Sequence, residues 1–133
     1  VSLLPNVLLK QKTLKKNAFE CLMLDDQGYI TEATTSNIWI LKKNTLITTP
    51  LTSNILPGVT RKKLIELAKT LNIQVCEDKF KESDVYKADN VFITNSSAII
   101  LEANKLNGKK LNVTNNKILK NIKSEMFKVI NNE

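Results

Sequence analysis

Arginine is nearly missing from this chain: of its 20 basic residues only Arg61 is arginine, and the rest are lysine. That scarcity argues against a dedicated nucleic-acid surface, because arginine is the side chain that grips phosphate and guanine in bidentate fashion. Aromatics are few as well, at 5% of residues, which leaves little among the lysines to stack on bases. The formal charge of +7 is therefore read as solvated lysine faces, enriched together with asparagine and isoleucine as AT-rich coding would do. No apolar run approaches the roughly 18–20 residues of a membrane helix. Residues 1–9 lack the basic-then-apolar order of a signal peptide. Cysteine occurs only as Cys21 and Cys76, far apart in apolar, strand-like surroundings. Two buried, reduced thiols in a cytoplasmic protein are the expectation, rather than a disulfide. Nucleic acid, membrane and metal are not expected as partners.

What is present suits one domain over residues 1–133: 15.0 kDa, 42% hydrophobic and 25% charged, with no repeat or low-complexity linker. Leu3, Leu4, Val7 and Leu8 fall on one side of a short helix that Pro5 can open. Residues 19–24 and 29–33 read as a hairpin around Asp25-Asp26-Gln27-Gly28, whose glycine can take positive φ. Residues 37–42 and 46–49 make a second strand pair around Lys43-Asn44. A loop over 51–58 leads into an amphipathic helix over 59–71, with Leu64, Ile65, Leu67, Ala68 and Leu71 at helical spacing. A short strand at 74–76 and a short helix at 82–88 follow. Two apolar strands, 91–95 and 99–103, are expected to be buried. Residues 117–130 close the core as a helix with Ile118, Ile122, Met126 and Val129 on one stripe. Strands and helices are mixed, so the class is α/β or α+β.

Three segments carry chemistry. Tyr29-Ile30-Thr31-Glu32-Ala33-Thr34-Thr35-Ser36-Asn37 places an acid at a strand end before a run of hydroxyl residues. Ile55-Leu56-Pro57-Gly58-Val59-Thr60-Arg61 is a glycine-bearing loop opening into a helix, where free N–H groups and the positive end of the helix dipole suit a phosphate. Val91-Phe92-Ile93-Thr94-Asn95-Ser96-Ser97 is an apolar strand ending in small hydrogen-bonding residues. Taken singly, each has an ordinary reading: Glu32 a surface acid, Thr60 a helix cap, Thr94 to Ser97 a polar strand exit. Order and spacing make the signal.

That order resembles the class IV aminotransferases, a family of pyridoxal-phosphate enzymes that includes D-amino-acid aminotransferases, branched-chain aminotransferases and aminodeoxychorismate lyases. The resemblance runs from Ser2-Leu3-Leu4-Pro5-Asn6-Val7-Leu8 through Gly28-Tyr29-Ile30-Thr31-Glu32 and Ser36-Asn37-Ile38. It continues through Leu56-Pro57-Gly58-Val59-Thr60-Arg61 to Thr94-Asn95-Ser96. It implies a β-rich pseudo-barrel with flanking helices, the family's C-terminal domain. It also implies roles: Glu32 keeps the pyridine nitrogen protonated, and Leu56 packs one face of the ring. The Val59 and Thr60 N–H groups, the Thr60 hydroxyl and Ser96 hold the phosphate, and Gly58 lets the backbone approach it. Arg61 is expected to be structural, paired with a carboxylate on the new helix.

The opening segment and Ser36-Asn37-Ile38-Trp39-Ile40 look most like the D-amino-acid members. The implied parent is therefore a homodimeric transaminase moving an amino group from an amino acid of D-alanine type to a 2-oxo acid. Aminodeoxychorismate lyase and branched-chain aminotransferase are alternatives on the same fold. A non-catalytic fragment or small basic binding module is the alternative of another class. Ala33 replaces a frequent family glycine, and Ile99 a frequent glutamate. In the family a Lys-Ser/Thr pair directly precedes the residue matching Val1, and that lysine carries the cofactor covalently. The resemblance thus implies a truncated chain, inactive on its own, whose N-terminal domain and catalytic lysine lie elsewhere.

Overall fold

The computed structural model describes residues 2–4, 19–33, 36–51, 58–96 and 99–131. Among these described residues, ten strands and three helices follow in the order β1 (Ser2–Leu4), β2 (Phe19–Leu24), β3 (Ile30–Ala33), β4 (Asn37–Lys42), β5 (Thr45–Thr48), α1 (Val59–Thr70), β6 (Gln74–Glu77), α2 (Glu82–Lys87), β7 (Asn90–Asn95), β8 (Ile99–Ala103), β9 (Lys105–Leu106), β10 (Lys109–Lys110) and α3 (Lys117–Asn131). They form two five-stranded sheets, ordered β10-β9-β1-β2-β3 and β6-β5-β4-β7-β8.

Period-two alternation in the central strands explains the layering. Ile38 and Ile40 on β4, with Val91 and Ile93 on β7, face Leu22, Ile30, Ala33 and Leu106 of the other sheet. The residues between them, Trp39, Leu41 and Phe92, turn the opposite way and pack with Leu64 and Ala68 of α1 and Leu119, Ile122 and Met126 of α3. One sheet-to-sheet core and one sheet-to-helix core result, the helix-flanked mixed α/β arrangement expected. Val85 of α2 and Ala88, its C-cap, close the first core together with Phe80. The Tyr86 hydroxyl donates to the Leu106 carbonyl at 2.7 Å, tying α2 to β9. Burial, and after it the neighbouring Glu82 carboxylate, raises the pKa of that phenol. In the second core the Trp39 and Phe92 rings stack, with centroids 5.9 Å apart and planes 3° from parallel.

The strand order places the ends that matter. β5 and β6 are parallel and joined by α1, a βαβ crossover, so α1 begins beyond the C-terminal end of β5. β4 runs antiparallel to both β5 and β7. The start of β4, the end of β5 and the end of β7 therefore share one end of the sheet, and the loop into α1 leaves from it.

Several expectations change. Leu3 and Leu4 are not helical: they lie in β1, parallel to both β2 and β9. A three-residue segment has no periodicity of its own, and pairing on both sides decides its conformation. Pro5, Val7 and Leu8 lie outside the described residues. Ile122 and Met126 of the expected α3 stripe are buried and Ile118 packs half-buried against the same core, but Leu119 joins them and Val129 is 37% exposed. β8 is half-buried along most of its length, as an edge strand should be. Cys21 is buried and Cys76 half-buried, and neither is in a disulfide. Among the described residues no helix is long and apolar enough to cross a membrane.

Replacing Phe92, which is fully buried, by Ala should destabilise the chain by about 3–5 kcal/mol. The loss is read as a lower urea midpoint from the emission of Trp39, the one tryptophan. A loss under about 1 kcal/mol, the size of an ordinary surface change, would contradict this packing.

Candidate functional site

Two buried polar residues at the start of β4 join the three segments. The Ser36 carbonyl accepts from the Ala33 N–H at 3.0 Å, which folds the end of β3, and Glu32 with it, back onto β4. The Ser36 hydroxyl accepts from Asn95 Nδ2 at 3.0 Å, at the end of β7 and one residue before Ser96. Asn37 pairs in register with Thr94 on β7. Its side chain also meets the start of α1 so closely that a Cβ on Gly58 would lie 2.2 Å from Asn37 Oδ1. Gly58 has φ +58, a conformation that side chains with a Cβ rarely adopt, and it is the N-cap of α1. Glycine is required there twice, by conformation and by contact.

Glu32 is half-buried on β3, opposite Met23. Thr60 is 6% exposed in the first turn of α1, Val59 is 71% exposed, and Ser96 is exposed in the turn after β7. Glu32, Gly58, Val59, Thr60 and Ser96 thus stand on elements that meet through Ser36 and Asn37. Leu56 lies outside the described residues. α1 has no capping side-chain hydrogen bond and no acid in its first turn. Its N–H groups and dipole there favour an anion, and no carboxylate of that turn opposes one.

Arg61, next in the turn, is 1% exposed. Its partner is not a carboxylate on the new helix, as expected, but Glu77 at the end of β6, to which Nη2 donates. Helix geometry explains the difference: the nearest acid on α1, Glu66, is five positions on and off the Arg61 face. Nη1 donates to the Thr49 carbonyl at 2.8 Å and, longer, to the Thr48 hydroxyl at 3.4 Å. Nε is buried with no hydrogen-bond partner among the described residues.

Residues of these segments to which the sequence assigned no individual role do the joining. Ser36, Asn37 and Thr94 are each at most 3% exposed, and the Thr94 hydroxyl accepts from Trp39 Nε1 at 3.0 Å. The available signal was a polar Ser-Asn pair directly ahead of an apolar strand. Just beyond the site, Ile99 sits at φ 65, a strained region for a β-branched residue. A groove of about 430 Å³ runs along the outer face of α1 past Val59, Lys62 and Ile65. It shares Gly58 and Val59 with the candidate site at the start of α1, while neither Glu32 nor Ser96 is among its lining residues. No group of three or more metal-ligating side chains occurs among the described residues.

The family profile described as amino-transferase class IV matches residues 1–106. The chain is 34% identical over 111 residues to a D-alanine aminotransferase of Bacillus licheniformis, covering 84% of this chain and 39% of that protein. It is 35% identical over 105 residues to a branched-chain-amino-acid aminotransferase of Salmonella typhimurium, covering 79% and 34%. The solved branched-chain amino acid aminotransferase of Escherichia coli superposes with a TM-score of 0.76 at 35% identity, over 81% of this chain and 37% of that one. The chain therefore spans less than two fifths of the length of these relatives.

Gly58→Ala should lower stability by about 1–3 kcal/mol through its φ and its clash with Asn37. Asn37→Ala in the same chain should recover the steric part, so that the double variant loses less than the two singles summed. Strict additivity in urea unfolding would mean that the Gly58–Asn37 approach is not a real constraint.

Proposed function

The chain belongs to the class IV aminotransferase family, and from that premise we propose that it forms the cofactor-binding part of a pyridoxal 5'-phosphate-dependent transaminase. The observation that carries the reading is the junction at Ser36 and Asn37, which joins the strand of Glu32, the start of α1 and the end of β7. The residues present fit a phosphorylated cofactor. The Gly58 backbone carries no side chain and packs on Asn37 with no room for a Cβ, and α1 starts there with neither a side-chain cap nor an acid.

When bound, pyridoxal phosphate supplies an electron sink that acidifies the substrate's α-carbon. This chain's residues then divide the work. The Val59 and Thr60 N–H groups, the Thr60 hydroxyl and Ser96 bind the phosphate through charge-assisted hydrogen bonds. Gly58 keeps the backbone close enough for them to reach. Leu56, outside the described residues, would cover one ring face as the family resemblance implies. Glu32 holds a proton at the pyridine nitrogen, so that the ring can draw electrons.

The substrates are read as an amino acid, of D-alanine type, and a 2-oxo acid, consistent with similarity to the Bacillus licheniformis protein. Similarity to the branched-chain enzymes, at 35% identity, favours L-leucine-type donors as the second reading. Turnover of D-alanine against L-leucine, each with 2-oxoglutarate, separates the two. Release of pyruvate from aminodeoxychorismate instead of either transamination would select the lyase alternative.

Glu32→Gln in the full-length protein should lower kcat roughly 10²–10³-fold while the cofactor stays bound, the usual effect of losing one preorganised electrostatic contact. Unchanged turnover would make Glu32 an ordinary surface acid.

A further inference from the structure

Why does this fold bury its one arginine in the first turn of α1? Burying a guanidinium costs desolvation that one ion pair with Glu77, whose side chain is 47% exposed, does not by itself repay, so the burial calls for another reason. The hydrogen bonds around it supply one. Arg61 Nη1 donates to the Thr49 carbonyl at 2.8 Å, and the Thr49 hydroxyl donates to the Ile30 carbonyl at 2.9 Å. Thr49 is 4% exposed. Ile30 is two residues before Glu32 on β3, and Arg61 directly follows Thr60 on α1. A second branch runs from Arg61 to the Thr48 hydroxyl, which donates to the Ile38 carbonyl on β4 at 2.7 Å.

We propose that Arg61 and Thr49 form a brace that sets the separation between the anion-binding start of α1 and the Glu32 carboxylate. They are positioning residues: neither reaches the cofactor, and both act through the elements that do. The inference rests on the proposed pyridoxal phosphate site and adds a specific demand. A ligand with charge needs at both ends of one rigid ring feels the spacing between α1 and β3. A ligand that touches only α1 does not. The guanidinium suits the role because its planar fork holds Thr49 and Glu77 at once, in directions a lysine ammonium cannot fix.

The test uses Thr49→Val, which removes the hydroxyl that reaches β3 while keeping Arg61 and nearly the same shape. Equilibrium dialysis of the full-length apoprotein measures affinity for pyridoxal 5'-phosphate and, separately, for inorganic phosphate. Thr49→Val should weaken pyridoxal phosphate about tenfold, one hydrogen bond's worth of positioning, and leave inorganic phosphate within about twofold. Thr49→Ser, which keeps the hydroxyl, should restore the affinity. Combined with Glu32→Gln, Thr49→Val should add little further loss, because an acid already removed cannot be misplaced. Equal weakening of both ligands, or losses that add in the double variant, would overturn the brace and leave Thr49 merely structural. Pyridoxal phosphate affinity indifferent to both Glu32→Gln and Thr60→Val would instead refute the cofactor site itself, and the brace with it.

Discussion

A buried guanidinium joins the helical layer of this fold to its sheet. Arg61 sits in the first turn of α1, 1% exposed, and donates across to Thr49 at the end of β5 and to Glu77 at the end of β6. β5, α1 and β6 make one βαβ crossover, and Arg61 is bonded to both of its strands. The start of α1 cannot slide along the sheet without breaking those bonds. Apolar packing of Leu64 and Ala68 against Trp39 and Phe92 is stronger in sum but less directional. Packing holds the layers together, and the polar contacts set where the helix begins.

The same division runs through the rest of the molecule. Alternation along β4 sends Ile38 and Ile40 to one core and Trp39 and Leu41 to the other. The end of that strand where the chain turns polar, at Ser36 and Asn37, is where β3, β7 and α1 meet. Small polar residues are needed there because the elements approach closely and their backbone groups require partners. Close approach without a large side chain is also what a flat, phosphorylated ligand requires. A fold that must bury Ser36, Asn37 and Thr94 for its own connectivity thus offers a polar end to an otherwise apolar sheet.

Much of this was legible in residue order, and the exceptions have physical reasons. α1 declared itself through Leu64, Ala68 and their neighbours, and the hairpin at Gly28 through its turn, because both signals are local. Glu32, Gly58, Val59, Thr60 and Ser96 stood out through their order along the chain. What stayed hidden was non-local. The partner of Arg61 is 16 residues away on another strand, and nothing in the intervening sequence marks Glu77. β1 is three residues long and owes its conformation to β2 and β9. The β9–β10 hairpin has a turn signature in Asn107-Gly108, both at positive φ, but its strands are two residues each and mostly lysine. On α3 the expected Ile118, Ile122 and Met126 do pack on the core, and what periodicity did not show is that Leu119 is buried with them while Val129 is exposed.

The central claim is that one ligand spans from Glu32 to the start of α1. Diffraction from crystals of the full-length protein grown with pyridoxal 5'-phosphate tests it most directly. The account predicts a Glu32 carboxylate oxygen within about 3 Å of the pyridine nitrogen, with the phosphate on the Val59 and Thr60 N–H groups. A cofactor bound elsewhere, or a Glu32 carboxylate turned to solvent while the phosphate occupies α1, would contradict it.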